Sequence, residues 1–319
     1  MKKLGNVISS KMKERFSPDQ MERQLNALLK HPLVVKYMVE HEVSEAILKR
    51  SFSKLHQFVQ ENENCKQCLR LSECPNLMKG HFPTLREYGG FVDLVMNECS
   101  KLKAKKEEER RKNLIQCQQI PLDIQKATFQ TIELDHGREK AIDAALDFCL
   151  RIANGETVKG LYFCGSFGTG KSYIAGAILN TLAEYGIPSM MVHTSALAQE
   201  LRDTIAKKEG LLNSKLEALS NVPILVLDDI GVENLTSWLR DSVLAVVLHN
   251  RVSNQLPTIY TSNLTLDELE EWLSITLSNG YERHEPLKAK RIMERIKPYV
   301  TVVEVQGRNR RYALNNNAN

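Results

Sequence analysis

Aromatic residues are scarce in this chain: Phe, Trp and Tyr make up 6% of its 319 positions, with only 2 tryptophans. A core built on stacked rings is thereby excluded, and Leu, Ile and Val must carry the packing. Long apolar runs are missing too. The longest, 224–227 and 243–248, are strand-sized or cover one helix face, far short of the ~20 residues a membrane-spanning helix needs. Lys2 and Lys3 open the chain, but Lys11, Lys13, Glu14 and Arg15 interrupt before an apolar signal-peptide core can form. A soluble, cytoplasmic protein with no membrane attachment is expected. No collagen period and no Gly/Ser-rich tract occurs, which excludes fibrous and low-complexity classes. Nor does one sign of charge prevail, since 43 Lys and Arg face 39 Asp and Glu for a net charge of +4. That balance is compatible with nucleic acid without arguing for it. What remains is globular material, 42% hydrophobic and 26% charged, and at roughly 150 residues per domain the length predicts about two domains.

Of 7 cysteines, Cys65, Cys68, Cys74 and Cys99 cluster, while Cys117, Cys149 and Cys164 are scattered. In a cytoplasmic chain such clustering favours metal over disulfide. Cys65-x2-Cys68-x5-Cys74-x6-His81 supplies three thiolates and an imidazole, enough to close a tetrahedral Zn²⁺ shell. Pro75, Gly80 and Pro83 mark irregular backbone able to wrap the second pair around the ion. Cys99 competes with His81 for the fourth place, lying beyond an apolar stretch (Phe91, Val92, Leu94, Val95) that can fold back. Buried free thiols are the plain alternative.

Around this knuckle the first hundred residues read as helices. Ser17-Pro18-Asp19-Gln20 offers a cap, an N1 proline and a capping Gln ahead of Leu25, Leu28 and Leu29, in a helix that stops before Pro32. A second begins near Ser44, carries Ile47, Leu48, Ser51, Phe52, Leu55, Phe58 and Val59 on one stripe, and ends at the polar run 61–64. From Lys101 to Lys112 nearly every residue is charged, so a solvated helix or linker is expected there. The domains are accordingly read as 1–112 and 113–319. After a helical segment over 141–152 that ends at Asn154-Gly155, the second domain alternates strand and helix, with strands at 161–164, 189–192, 224–227, 258–260 and 300–305. This predicts an α/β domain with a five-stranded parallel sheet.

Gly165-Ser166-Phe167-Gly168-Thr169-Gly170-Lys171-Ser172 fits G-x-x-x-x-G-K-[ST], directly after a strand and before the helix 173–185. The glycines let backbone N–H groups curl round phosphates. Lys171 neutralises the β- and γ-phosphoryl oxygens, and Ser172 offers its hydroxyl to Mg²⁺. A second signature, Ile224-Leu225-Val226-Leu227-Asp228-Asp229, is a buried strand delivering two carboxylates to the edge where open α/β sheets bind ligands. Asp228 is expected in the Mg²⁺ shell, and Asp229 orients or deprotonates the attacking water. The strand 258–260 runs into Thr261-Ser262-Asn263, where Asn263 is placed for the γ-phosphate or the water. The capping box Thr265-Leu266-Asp267-Glu268 leaves Asn263 free.

With Walker A, an aspartate-terminated Walker B strand, a polar sensor strand and a late arginine helix in that order, the second domain resembles an AAA+ ATPase. More narrowly, 227–231 (LDDIG), 236–240 (TSWLR), 255–258 (QLPT) and 291–296 (RIMERI) resemble the bacterial replicative helicase loaders. The cysteine-bearing first domain resembles the Gram-positive, primosomal DnaI type, over essentially the whole chain. The resemblance implies an AAA+ P-loop NTPase preceded by a mostly helical zinc-knuckle domain, with ATP, Mg²⁺ and Zn²⁺ as cofactors. It implies Arg295, or its neighbour Arg291, as a finger reaching the nucleotide of an adjoining subunit, and Arg310 as a second sensor, with Arg308 and Arg311 competing. It further implies a weak, partner-regulated ATPase that grips the hexameric replicative helicase, places it on single-stranded DNA with other primosome proteins, and self-assembles through its ATPase domain. Two departures stand out: the spacing before His81 is one residue short, and Asp228-Asp229 replaces Asp-Glu. The helix 194–210, with Arg202, Lys207 and Lys208, is a candidate DNA surface that lacks interleaved aromatics. Three rival readings are a transposition helper ATPase, which ordinarily lacks such a first domain; a small-molecule P-loop kinase, whose lid and acceptor pocket are not evident; and a zinc adaptor with a merely structural nucleotide site.

Overall fold

A computed structural model describes residues 18–133, 136–205, 209–232, 235–278 and 281–310. The chain divides into two units, Met1–Glu108 and Glu109–Asn319. Ser17 and the tail beyond Arg310, with Arg311, lie outside the described residues.

In the first unit, helices α1 (Pro18–Leu29), α2 (Pro32–His41), α3 (Glu45–Lys49) and α4 (Phe52–Gln67) precede an antiparallel hairpin of β1 (His81–Tyr88) and β2 (Phe91–Glu98). Leu29, Val34, Leu48, Leu55 and Phe58 close a core with Leu85 and Val92 of the hairpin, each large side chain contributing about 1.5–3 kcal/mol by burial. The hairpin is an addition to the mostly helical unit that was expected. Its turn is Gly89-Gly90, both at positive φ (59° and 80°), a conformation that side chains resist and that tight two-residue turns demand. The single stripe expected from Ser44 is broken at Arg50–Ser51, because the Ser51 hydroxyl accepts the buried N–H of Val92 at 2.9 Å. The polar run 61–64 does not end the helix either. Asn62 donates to the carbonyls of Phe58 (2.8 Å) and Pro83 (3.0 Å), tying α4 to the hairpin. Helix α5 (Ser100–Leu114) spans the division between the units and buries no residue, in keeping with its nearly continuous charge.

The second unit carries a parallel sheet of six strands in the order β10-β4-β7-β6-β5-β3. These are β3 (Ile115–Gln118), β4 (Gly160–Cys164), β5 (Ser189–His193), β6 (Ile224–Asp228), β7 (Thr258–Ser262) and β10 (Val300–Glu304). The sixth strand, β3, corrects the count of five; four residues alternating Ile-Gln-Cys-Gln carry too short a pattern to stand out after a charged helix. Successive residues of the inner strands feed opposite cores. Tyr162, Leu225, Leu227 and Tyr260 face one layer of helices, and Leu161, Phe163, Val226 and Ile259 the other. The second layer is α6 (Leu122–Gln125), α7 (Glu139–Ala153) and α8 (Lys171–Glu184). The first includes α9 (Thr194–Ile205), α10 (Glu209–Asn221), a π-helical turn (Leu239–Leu244), α11 (Ala245–Ser253), α12 (Leu266–Ser274) and α13 (Pro286–Met293). A small hairpin, β8 (Ile275–Ser278) with β9 (Tyr281–His284), joins the last two. Burial on both faces explains why these strands read as unbroken apolar runs, and it places their carboxyl ends together at one edge. Among the described residues no helix is long and apolar enough to cross a membrane.

Candidate functional site

The loop 165–170 leaves β4 at the carboxyl edge of the sheet and enters α8 at Lys171. Gly168 and Gly170 stand at φ 74° and 96°, and neither has room for a side chain. A Cβ at Gly168 would lie 1.9 Å from Asn309 Oδ1, and one at Gly170 would lie 2.4 Å from Arg138 Nη2. Thr169 is buried and its hydroxyl donates to Ser166 O at 3.0 Å, tightening the loop. The Lys171 ammonium is buried against it, donating to Gly165 O (2.7 Å), Ser166 O (2.8 Å) and Asn263 Oδ1 (2.8 Å).

Walker B and the sensor strand meet each other through one threonine. Thr261 Oγ1 donates to Asp228 Oδ1 at 2.6 Å and accepts the N–H of Asp229 at 2.9 Å. Asp228 is 3% exposed. Burial pushes its carboxyl above the usual range, while hydrogen bonds from Thr261 and Ser172 pull partly back. A buried carboxylate beside the Ser172 hydroxyl fits a divalent cation, which would offset the desolvation. Asp229 turns into the left-handed region at φ 55° and accepts from Asn263 Nδ2 at 3.1 Å. Asn263 thereby joins Lys171 to Asp229. His193, at the end of β5 and in register with Asp228, places Nε2 3.8 Å from Asp229 Oδ2. Sequence reasoning missed it, although its position at a strand end beside Walker B was the available signal.

These groups line a cavity of about 440 Å³, a size that suits a nucleotide. Its other wall was not foreseen: Pro121, Ile124, Thr131, Ile132 and Arg138 come from a segment with no motif, and the Tyr173 and Thr131 hydroxyls meet at 2.8 Å. Arg308 and Arg310 both line the cavity, so the structure brings both forward as candidates for the second sensor.

The remaining candidates lie elsewhere. Arg295 lines a second cavity of about 300 Å³ with Lys159, Thr258 and Val300, at the amino ends of β4, β7 and β10. It donates to Arg291 O at 2.7 Å, and neither arginine lines this chain's own nucleotide cavity. The TSWLR segment ends in Arg240, fully buried, paired with Asp241 (2.7 Å) and Glu285 (2.6 Å) and thus anchoring the start of the helix that leads to Arg291. Of the DNA-surface residues, Arg202 is exposed on α9, while Lys207 and Lys208 fall outside the described residues.

Around the knuckle, β2 does fold back, and Cys99 N–H donates to Gly80 O at 2.8 Å beside His81. Cys74 Sγ accepts from Gly80 N–H and Cys99 Sγ from Leu102 N–H, each at 3.4 Å. Asn76 Nδ2 reaches Cys65 Sγ at 3.3 Å and His81 O at 2.9 Å. Burial raises the Cys65 thiol, and the nearby Cys74, Cys68 and Cys99 add to the rise although Asn76 opposes it. Among the described residues, no three His, Cys, Asp or Glu side chains stand close enough together to hold a metal ion.

Comparison with known proteins agrees with this geometry. Residues 1–95 match the family "Primosomal protein DnaI N-terminus", and residues 84–317 match "IstB-like ATP binding protein". The replicative helicase loader DnaI of Bacillus subtilis (strain 168) is 33% identical over 296 residues, covering 92% of this chain and 94% of that one. The replicative helicase loader DnaC of Escherichia coli (strain K12) is 28% identical over 116 residues, 36% of this chain and 47% of that one. A crystal structure of DnaI matches with a TM-score of 0.53 at 38% identity, covering 63% of this chain and 99% of that one. The second unit has the AAA+ fold, and the chain belongs to the DnaI family of replicative helicase loaders.

Proposed function

We propose that this protein is an ATP-dependent loader that grips a hexameric replicative helicase and helps place it on single-stranded DNA. The observation that carries the reading is the chain Lys171–Asn263–Asp229 beside buried Asp228, joined to an amino-terminal unit of the DnaI kind. Gly165 to Ser172 wrap the phosphates through backbone N–H groups, and Lys171 exchanges its carbonyl partners for phosphoryl oxygens. Ser172 and Asp228 would hold Mg²⁺, which when bound would neutralise charge developing on the phosphoryl oxygens. Asp229 and Asn263 orient a water in line with the γ-phosphate, and the products are ADP and phosphate. A guanidinium on the transferring group is worth ~10³–10⁵ in rate, and Arg295 supplies it to a neighbouring subunit's nucleotide because it stands away from its own. Arg310 contacts the phosphates in cis. Turnover is therefore weak in the isolated chain and rises on assembly with the helicase, in the cytoplasm and with other primosome proteins.

Zinc belongs to the same proposal. Cys65, Cys68 and Cys74 would be its ligands, with His81 or Cys99, neighbours at the start and end of the hairpin, in the fourth place, although these side chains do not form a metal-binding cluster as they stand. Sulfur donors and N–H groups aimed at Cys74 and Cys99 suit the ion chemically. Zinc bound there would fix the fold of a helicase-binding unit.

Co-sedimentation with the hexameric helicase, with ATP and without nucleotide, tests the reading. A stable complex supports it. Absence of a complex under both conditions, with ATPase activity intact, shifts the assignment to a transposition helper.

A further inference from the structure

The segment after β10 is stitched through its backbone to the end of β4, to Gly137 ahead of α7 and to the P-loop. Val305 N–H donates to Cys164 O (2.7 Å), Gln306 N–H to Gly137 O (3.0 Å) and Arg310 N–H to Gly168 O (3.0 Å). Across the cavity mouth stands Glu133, which nothing in the P-loop chemistry requires. Its carboxylate accepts from Arg310 Nη1 and lies 3.4 Å from Arg308 Nη2. Its backbone carbonyl accepts from Arg138 Nη1 at 3.2 Å, and Arg138 is buried against Gly170. Glu133, Arg138, Arg308 and Arg310 all line the nucleotide cavity. Arg310, followed by Arg308, holds the Glu133 carboxyl below its usual range, so it is a full anion at neutral pH.

A polyphosphate on the P-loop is a second and more highly charged anion facing the same guanidinium. We propose that Glu133 is the resting partner of Arg310 and that nucleotide phosphate takes the guanidinium from it, so that the carboxyl-terminal strap follows the state of the nucleotide site. The inference rests on the nucleotide reading above. Glu133 touches an arginine and no reacting atom, which makes it a positioning residue. Its carboxylate competes with phosphate, and the competition is sharper for a triphosphate than for a diphosphate.

The test is Glu133→Gln in the full chain, a nearly isosteric change at a side chain that is 67% exposed and not needed for packing. Affinities are titrated for a non-hydrolysable ATP analogue and for ADP. The expected result is an analogue bound about two- to five-fold more tightly, the range of an exposed ion pair, with a smaller change for ADP. The gain disappears when Arg310→Ala is already present. Unchanged or weaker analogue binding by Glu133→Gln, equal gains for both nucleotides, or a gain that survives in the Arg310→Ala background would each overturn the proposal. Failure of the wild-type chain to bind either nucleotide would instead remove the reading on which it rests.

Discussion

Thr261→Val perturbs the site at the point where its two halves join. Thr261 is 1% exposed, and valine matches its shape while removing the hydroxyl that serves both aspartates. One loss is the 2.6 Å hydrogen bond to the Asp228 carboxylate, about 1.5–3 kcal/mol for a charged acceptor. The other is the acceptor for the Asp229 N–H at 2.9 Å, whose burial without a partner costs about 1–3 kcal/mol. The added methyl offsets a part, leaving a net destabilisation of about 2–4 kcal/mol. In a domain of this size that lowers Tm by about 5–15 °C. Asp229, held at φ 55° partly by that N–H contact, loses its anchor, so turnover falls about ten- to a hundred-fold with little change in nucleotide affinity. Asp228 also loses its strongest donor and its carboxyl rises further. The ionised form is the useful one, so the acid limb of the pH–rate profile moves to higher pH. Thr261→Ser keeps the hydroxyl and is expected to retain turnover. Thermal melts and steady-state ATPase assays across pH read all three effects. Wild-type Tm and turnover in Thr261→Val would refute the bridging role.

Three further outcomes follow from the same geometry. Lys171→Ala should abolish tight Mg-ATP binding in a calorimetric titration while leaving the fold intact, and retained affinity would contradict the P-loop assignment. On the zinc proposal, Cys68→Ser should lower the zinc content read by metal analysis and unfold mainly the amino-terminal unit, because structural zinc contributes about 10–16 kcal/mol to such domains, and unchanged metal content would remove the knuckle. Parallel His81→Ala and Cys99→Ser variants then identify the fourth ligand as the one whose loss also empties the site. Arg295→Ala should keep ATP binding and lose the turnover that appears on assembly, and full activity in that variant would move the finger to Arg291 or out of the protein.

The parts that were legible in the sequence are those where chemistry fixes both residue type and spacing. The run Gly165 to Ser172 cannot vary freely and still wrap phosphate, and Asp228-Asp229 after four apolar residues marks a strand end. The capping box at Thr265 is present as written, with the Thr265 hydroxyl accepting from Glu268 N–H. What escaped depended on contacts distant in sequence. Residues 121–133 form the far wall of the cavity through contacts such as Asn180 Nδ2 donating to the carbonyls of Gln125 (3.0 Å) and Ala127 (2.9 Å), which helps hold that segment against α8. No periodicity announces such a wall. Strand β1 was obscured by Pro83, which argues against a strand, although the Gly89-Gly90 pair was a hairpin signal in plain view. Nothing in the sequence sets Arg251 apart from an ordinary helix cation. In the structure it is buried, donating to Thr258 Oγ1 and to the carbonyls of Leu219, Val222, Pro223 and Pro257, so it fastens the loops that lead into β6 and β7. Burial lowers its pKa to about 10, which leaves it charged at neutral pH.

The central claim is that nucleotide turnover here serves placement of a ring helicase on DNA. Its most direct measurement is the amount of hexameric helicase retained on a closed circle of single-stranded DNA after mixing with this protein and ATP. Retention well above that of helicase alone is expected, with a return to that level for Lys171→Ala. Equal retention with and without the protein, under conditions where it hydrolyses ATP, would contradict it.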